Sequence, residues 1–168
     1  MASGHYRLEV KIIGRSAGHS VVAAAAYRSG EKINDKRTGI NHDYSRKGSI
    51  EGKEIIAPLN APEWIKNRAN LWNEVEAKEN RKDAQLAREV IISLPRELDS
   101  EQRQGLVKNF VKNEFVSKGM IADVSFHNPP AGDGLENPHA HILLTMRHVT
   151  PDGFGNRGSE HIAAKSAT

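Results

Sequence analysis

The segment Pro138-His139-Ala140-His141-Ile142-Leu143-Leu144 contains the pattern from which the fold and the chemistry are predicted. A His-x-His motif opens an apolar run, and such a run is typical of a buried strand. Side chains at positions i and i+2 of a strand point to the same face. His139 and His141 can therefore bind one metal ion while Ala140 and Ile142 turn towards the core.

A third histidine, His127, ends the preceding predicted strand, which begins at Met120. The loop 128–138 suits an antiparallel pair with a long connection. If the strands pair, the imidazole of His127 reaches the same point, and the three nitrogen ligands leave open positions for catalysis. Ligand chemistry alone favours Zn²⁺ here, because Mg²⁺ and Mn²⁺ prefer oxygen ligands.

Outward from these strands, hydrophobic spacing predicts the other elements. Residues 6–13 alternate apolar and polar as in a half-buried strand, with Tyr6, Leu8, Val10 and Ile12 on one face. The first helix is predicted between Ser20 and Gly30, followed by an exposed polar excursion at 31–53 that could form a hairpin or a flap. The remaining predictions are a core-covering helix from Trp64 to Glu76, a strand at 88–94, and a helix from an Asp99–Gln102 capping box to about Lys118.

This order predicts an α+β fold, with helices covering one face of a central, mainly antiparallel β-sheet. A length of 168 residues supports one core, and we assign residues 1–155 to a single domain. The chain after Val149 is rich in Pro, Gly and small polar residues, which favours a loose conformation. Residues 156–168 are expected to be a flexible or foreign tail.

The composition narrows the chemistry. Without cysteine there is no disulfide and no thiolate ligand, so a metal would need His, Asp or Glu. No apolar run approaches the roughly 18 residues that span a bilayer, and we expect a cytoplasmic protein without membrane insertion. The net charge of +3 and pI near 9.2 suit a polyanionic partner, although many proteins with this charge bind no nucleic acid.

Two further residues are candidates for chemistry. Tyr27 follows four alanines on the predicted helix, and Ala23 and Ala24 leave room beside it for a backbone. A phenol ionises near pH 10, so it needs a nearby cation or base to act as a nucleophile; the alternative is a tyrosine that packs on the sheet. Glu89 interrupts an apolar strand, where it either faces solvent, orients a histidine, or relays a proton.

Three segments, in this order, resemble the MobA/MobL family of plasmid relaxases. They are GHSVVAAAAYRSG (18–30), ENRKDAQLARE (79–89) and NPHAH (137–141). This family belongs to the HUH endonucleases, named for a His-hydrophobic-His motif, in which Ala140 is here the small middle residue. Many relatives have a second Glu two residues after Glu89, where this chain has Ile91.

The resemblance implies an HUH relaxase fold and a DNA-nicking reaction at the origin of transfer of a plasmid. It makes Tyr27 the nucleophile, which leaves a 5′-phosphotyrosyl link, and Glu89 an acidic residue near the site. His127, His139 and His141 become ligands of a divalent ion. The family implies Mg²⁺ or Mn²⁺, with Zn²⁺ as the alternative.

The implied partner is single-stranded DNA at the transfer origin, together with accessory relaxosome proteins, a coupling protein and a type IV secretion system in a bacterial cytoplasm. Basic residues on the first strand, the first helix and the excursion would contact the DNA backbone. These residues are Arg7, Lys11, Arg15, Arg28, Lys32, Lys36, Arg37, Arg46 and Lys47.

Other functions remain as alternatives. In replication initiators of the HUH class the tyrosine normally follows the His pair, whereas Tyr27 precedes it. A three-His metallohydrolase would need no tyrosine, and a DNA-binding module with a vestigial site would not need the full set. Tyr44 is the alternative nucleophile.

Overall fold

The computed structural model describes residues 7–157, which alternate between strands and helices. The strands are β1 (Leu8–Gly14), β2 (Lys32–Asn34), β3 (Asn41–Asp43), β4 (Ile50–Ile56), β5 (Gln85–Ser93), β6 (Ala122–His127), β7 (His139–Thr145), β8 (Arg147–Thr150) and β9 (Gly153–Arg157). The helices are α1 (Val21–Ser29), α2 (Arg68–Lys78) and α3 (Ser100–Glu114), with short 3₁₀ turns at Arg15–Ala17, Glu63–Lys66 and Val116–Lys118.

Five strands form the central sheet in the order β1-β5-β7-β6-β4, and every neighbouring pair is antiparallel. The predicted α+β class with a central antiparallel sheet is therefore confirmed. The helices lie on both faces rather than on one. Helices α1 and α2 pack on one face around Trp72 and Leu143, and α3 packs on the other around Val111 and Phe126.

The alternation of β7 separates the two faces. Ala140 and Ile142 are fully buried in the core beneath α3, while His139 and His141 remain partly exposed. Since adjacent strands keep their side chains in register, the partners of His139 and His141 on β6 point to the same face as these histidines. Helix α1 covers this face. The histidines lie at one end of the face, where β6 ends and β7 begins.

Helix α1 begins and ends where the sequence predicts. The Ser20 side chain caps it by accepting a hydrogen bond from the Ala23 N–H at 3.1 Å. Gly30 ends it with a left-handed φ of 67°, a conformation that glycine adopts without strain. Val22 and Ala26 are fully buried against the sheet, so the two ends of the helix have fixed positions.

The excursion at 31–53 contains a hairpin, one of the two forms predicted for it, but it is more buried than expected. Strands β2 and β3 form a hairpin that packs on α1 through the buried Ile33, and Asp35 is fully buried next to it. The segment then enters β4, an edge strand of the central sheet that the sequence did not predict. Strand β4 begins Ile50-Glu51-Gly52-Lys53-Glu54, and this polar composition conceals it because an edge strand needs few buried side chains.

Strand β1 is less buried than its alternation predicts. Leu8, Val10 and Ile12 are 70%, 48% and 40% exposed, and Ile13 on the opposite face is buried. The reason is that β1 lies at the sheet edge and contributes no residue to the core beneath α3. Tyr6 lies outside the described residues.

The chain after Val149 is not loose over its described part. Strands β8 and β9 form a hairpin, in which Val149 is buried and the ring of Phe154 lies 6.5 Å from that of Trp64. Most of the predicted tail at 156–168 lies outside the described residues. Within residues 7–157, no helix is long and apolar enough to cross a membrane.

Candidate active site

Three histidines meet at the end of β6 and the start of β7. The strand register places His127 opposite His139, and Ser125 opposite His141. The ring centroids of His127 lie 5.4 Å from His139 and 4.6 Å from His141, and those of His139 and His141 are 5.0 Å apart. One ring nitrogen from each lies within 4.8 Å of the others, so this cluster could hold a metal ion.

One ring nitrogen of each histidine faces a protein acceptor. The Nε2 of His127 lies 2.7 Å from the Arg28 carbonyl, and the Nδ1 of His139 lies 2.9 Å from the Asn137 carbonyl. The Nδ1 of His141 lies 3.5 Å from the Glu89 Oε2. A carbonyl only accepts hydrogen bonds, so those nitrogens carry the proton and the opposite ones are free for a metal. The cluster therefore fits a divalent ion, although the role of its residues as ligands stays a prediction.

Burial keeps two of these histidines neutral. It lowers the pKa of His127 to about 4; the hydrogen bond to the Arg28 carbonyl acts in the opposite direction, and the charges of His141, Lys47 and His139 add to the lowering. Burial also lowers the pKa of His141, and the charge of Arg28 adds to this effect. Neutral imidazoles at pH 7 have lone pairs that can bind a metal ion.

Glu89 lies fully buried beneath the cluster, not on a solvent face. Its carboxylate accepts hydrogen bonds from Arg28, at 2.6 Å from Nε and 3.1 Å from Nη2, and Lys11 lies 3.4 Å away. Burial alone would raise the pKa of Glu89, but the hydrogen bonds from His141 and Arg28 lower it well below its usual range. A carboxylate that stays ionised suits the orientation of His141 better than proton relay.

Tyr27 lies in the last turn of α1 and is 43% exposed. Its ring meets the ring of Tyr44 edge to face, with centroids 5.1 Å apart. The Lys47 ammonium lies 3.4 Å from the Tyr27 ring centroid, and the Arg28 guanidinium carbon lies 4.9 Å from it. Tyr27 is therefore not packed on the sheet; it stands in a cationic and aromatic setting at the surface.

Arg28 connects Tyr27 to the histidines. Its carbonyl accepts the hydrogen bond from His127, and its guanidinium is bound to Glu89, which faces His141. Sequence reasoning assigned Arg28 only to DNA binding. The ion pair between Arg28 and Glu89 could have been suspected from the sequence, because Glu89 is the only acidic residue of its predicted strand and Arg28 directly follows Tyr27.

The basic residues fall into three groups. Arg46 and Lys47 line a depression of about 550 Å³ together with Tyr27, Asp43 and Tyr44. Lys11 and Arg28 form ion pairs with Glu89. The third group lies elsewhere: Arg7 pairs with Glu9 and Lys32 is exposed, while Lys36 and Arg37 border a second depression near Trp64.

Arg15 differs from the other basic residues. Its guanidinium is enclosed by the Glu76 carboxylate at 2.6 Å and by backbone carbonyls of Glu76, Glu79 and Arg81. Because both terminal nitrogens of its guanidinium are bonded inside the protein, Arg15 has a structural role in this fold and is left out of the proposed DNA surface.

Comparison with known proteins identifies clear relatives. The model of the MobA/MobL family matches residues 19–167. The chain is 41% identical to the conjugal transfer protein TraA of Agrobacterium fabrum (strain C58 / ATCC 33970), covering 92% of this chain and 14% of that protein. It is 42% identical to the mobilization protein MobL of Acidithiobacillus ferridurans, covering 88% of this chain and 44% of that protein.

A solved structure has the same fold. A chain from work described as "Molecular Basis of Vancomycin Resistance Transfer in Staphylococcus aureus" superposes with a TM-score of 0.82 at 36% sequence identity, covering 92% of this chain and 77% of the other.

The present chain spans less than half the length of the TraA and MobL relatives, since it covers 14% and 44% of them.

Proposed function

Since this chain belongs to the MobA/MobL family, we propose that it is a metal-dependent relaxase domain that nicks one DNA strand at a plasmid transfer origin through Tyr27. One observation carries this proposal. The helix end that presents Tyr27 is hydrogen-bonded to the histidine cluster through the 2.7 Å contact between His127 and the Arg28 carbonyl. This contact fixes the position of Tyr27 relative to the candidate metal site. In-line attack on a phosphate requires a nucleophile that is positioned in this way.

In the proposed reaction, the Tyr27 Oη attacks the scissile phosphorus and forms a phosphotyrosyl bond to the 5′ side. The bond from phosphorus to the 3′ oxygen breaks. The phenol proton passes to solvent, and the leaving 3′ oxygen takes up a proton to become a hydroxyl. One phosphodiester replaces another, so the bond energy is retained for rejoining.

A divalent ion held by His127, His139 and His141 would supply positive charge to a non-bridging oxygen of the phosphate. The proposed ion is Mg²⁺ or Mn²⁺, with water and phosphate oxygens completing its ligands, and Zn²⁺ is the alternative that the nitrogen ligands support. Glu89 contributes by holding His141 and Arg28 in place. Tyr27 and these histidines belong to the domain that we assign to residues 1–155.

The proposed DNA path starts in the depression beside Tyr27. Arg46 and Lys47 line that depression. Cations of this kind bind the phosphates of a single DNA strand. From there the exposed cations Lys11, Lys32, Lys36, Arg37 and Arg7 offer further contacts. Accessory relaxosome proteins, a coupling protein and a type IV secretion system are the partners proposed in a bacterial cytoplasm.

The test is covalent capture. The protein is incubated with a random single-stranded oligonucleotide library and Mn²⁺ or Mg²⁺, and the products are separated on denaturing gels. We expect an adduct with the wild type and none with Tyr27→Phe or His139→Ala. Sequencing of the captured DNA then gives the preferred nick site.

Three outcomes would contradict the proposal. A Tyr27→Phe adduct that disappears with Tyr44→Phe would move the nucleophile to Tyr44. The absence of any adduct, together with hydrolysis of small esters that requires the histidines, would indicate a metallohydrolase. Captured sequences that match a replication origin rather than a transfer origin would indicate an initiator.

A further inference from the structure

Lys47 is held against Tyr27 by two separate contacts. Its Nζ lies 3.4 Å from the centroid of the Tyr27 ring, and the same Nζ donates a hydrogen bond to the Tyr27 carbonyl at 3.0 Å. A lysine that only follows DNA phosphates would have its ammonium in solvent, because a free ammonium is strongly hydrated. Here the side chain folds back onto one residue.

The turn that carries Lys47 is tightly built. Asp43 accepts hydrogen bonds at one carboxylate oxygen from the N–H of Ser45 at 3.0 Å and from its hydroxyl at 2.6 Å. The Lys47 N–H then donates to the Tyr44 carbonyl at 3.0 Å. The Tyr44 N–H donates to the Glu31 carbonyl at 3.2 Å, which ties the turn to the chain just after α1. The position of Lys47 is therefore set by backbone contacts.

The charge of Lys47 is not neutralised. Two cations lie over the Tyr27 ring, and Arg28 is bound to the carboxylate of Glu89. Among the ion pairs of residues 7–157, none joins Lys47 to a carboxylate. Its positive charge therefore remains available for an anion that develops at Tyr27 or beside it.

We propose that Lys47 is a positioning residue for the nucleophile: it fixes the Tyr27 ring and provides the positive charge that faces the phenolate during attack. This rests on the proposed function of Tyr27. It also changes the role of Lys47, which acts on the nucleophile rather than chiefly as a DNA contact. Tyr44 packs against the same ring and restricts its motion from another side.

The kinetic test uses the full chain and the oligonucleotide captured above. Lys47→Met keeps the length of the side chain and removes its charge, and Lys47→Arg keeps the charge. Lys112→Met is the matched control, because Lys112 is an exposed lysine of α3 on the opposite face of the sheet. We expect Lys47→Met to slow single-turnover adduct formation roughly 10- to 100-fold at saturating DNA, as loss of one stabilising charge does. Binding measured in the Tyr27→Phe background should change less than about 3-fold, and Lys47→Arg should recover most of the rate.

A pH profile separates this role from a merely structural one. Burial, together with the charge of Arg28, lowers the pKa of Lys47 from its usual value. Since phenols ionise near pH 10, the defect of Lys47→Met should shrink between pH 7 and pH 9.5, because the phenolate forms without help while the wild type loses charge at Lys47. A defect that stays constant over this range would overturn the proposal, as would a weaker affinity with an unchanged rate at saturation. A Lys47→Arg variant as slow as Lys47→Met would also overturn it.

A measurement without DNA keeps the proposal testable if nicking is never observed. The chain has three tyrosines, so ring-labelled tyrosine gives few NMR signals. Lys47→Met should shift the Tyr27 ring resonances and increase ring motion, whereas Lys112→Met should not. Unchanged Tyr27 signals would refute the contact itself, while a wild type without Tyr27-dependent adduct would refute only the function proposed in the preceding section.

Discussion

At the residue scale, the site depends on the acceptor that each imidazole faces with one of its ring nitrogens. Backbone carbonyls face His127 and His139, while a fully buried carboxylate faces His141. Glu89 also binds Arg28, so one side chain orients a candidate ligand and the residue next to Tyr27. A change at Glu89 should therefore affect both stability and metal binding.

We predict that Glu89→Gln destabilises the protein by about 3 kcal/mol, because it leaves a largely buried Arg28 without a countercharge. It should also weaken Mn²⁺ binding roughly 10- to 100-fold, because the carboxylate that faces the His141 Nδ1 and orients its ring is lost. Urea unfolding and calorimetric titration measure the two effects.

Asp123→Asn provides the matched control for this variant. Asp123 is buried and pairs with Arg68 at 2.8 Å, on the same face of the sheet but outside the cluster. It should lose stability to a similar extent and retain Mn²⁺ affinity. Equal losses of affinity in both variants would show that the effect of Glu89 is general destabilisation.

At the element scale, the end of α1 is the feature on which the site depends most. The helix must stop directly after Arg28 and Ser29 so that Tyr27 stays at the surface and the chain turns into β2. Gly30 makes that turn in the left-handed region, and a Cβ there would lie 2.5 Å from the Ile50 Cδ1. The left-handed backbone therefore requires glycine, while the Ile50 Cδ1, at the end of a flexible side chain, can move away from an added Cβ.

We predict that Gly30→Ala costs about 1–2 kcal/mol of unfolding free energy, chiefly from the left-handed backbone. Gly105→Ala should have the opposite sign. Gly105 lies within α3 with no atom within 4 Å of an added Cβ, and alanine there should stabilise by about 0.5–1 kcal/mol. Urea unfolding of both variants tests the pair, and a stabilising Gly30→Ala would contradict the role given to this turn.

At the scale of the whole molecule, the candidate site joins parts that are far apart in the chain. Helix α1, the turn after β3, and strands β5, β6 and β7 each contribute a residue, and all of them meet on the α1 face of one sheet. Because these contacts exist only in the folded chain, a ligand of the site stabilises the entire fold.

We predict that Mn²⁺ at about 100 times its dissociation constant raises unfolding free energy by about 2.7 kcal/mol and Tm by about 5–10 °C. EDTA should reverse the shift. His139→Ala should abolish it, whereas His19→Ala, which removes an exposed histidine outside the cluster, should not. A shift that survives in His139→Ala would place the ion elsewhere.

Sequence patterns within a few residues were sufficient to predict where helices begin and end. The cap at Ser20, the stop at Gly30, and the capping box of Asp99 and Gln102 all lie where the sequence predicted them. These features depend on contacts within a few residues, so spacing alone reveals them. The antiparallel class of the sheet followed from the order of such elements.

Features that depend on long-range packing were missed. Strand β4 has a polar sequence and exists because β6 offers a free edge. The apolar stripe of β1 predicted a buried face, yet its position at the sheet edge leaves Val10 48% exposed. The side of the sheet that each helix covers was also decided by the complete topology.

The sequence by itself determined which residues are candidates for chemistry, because His-x-His spacing in a strand and the tyrosine on a capped helix are local and readable. Only the tertiary structure decided how they are connected. The 2.7 Å bond from His127 to the Arg28 carbonyl, the burial of Glu89 and the placement of Lys47 over Tyr27 join residues 20 to 99 positions apart. No local pattern encodes such contacts, since they form only when the strands and the helix pack together.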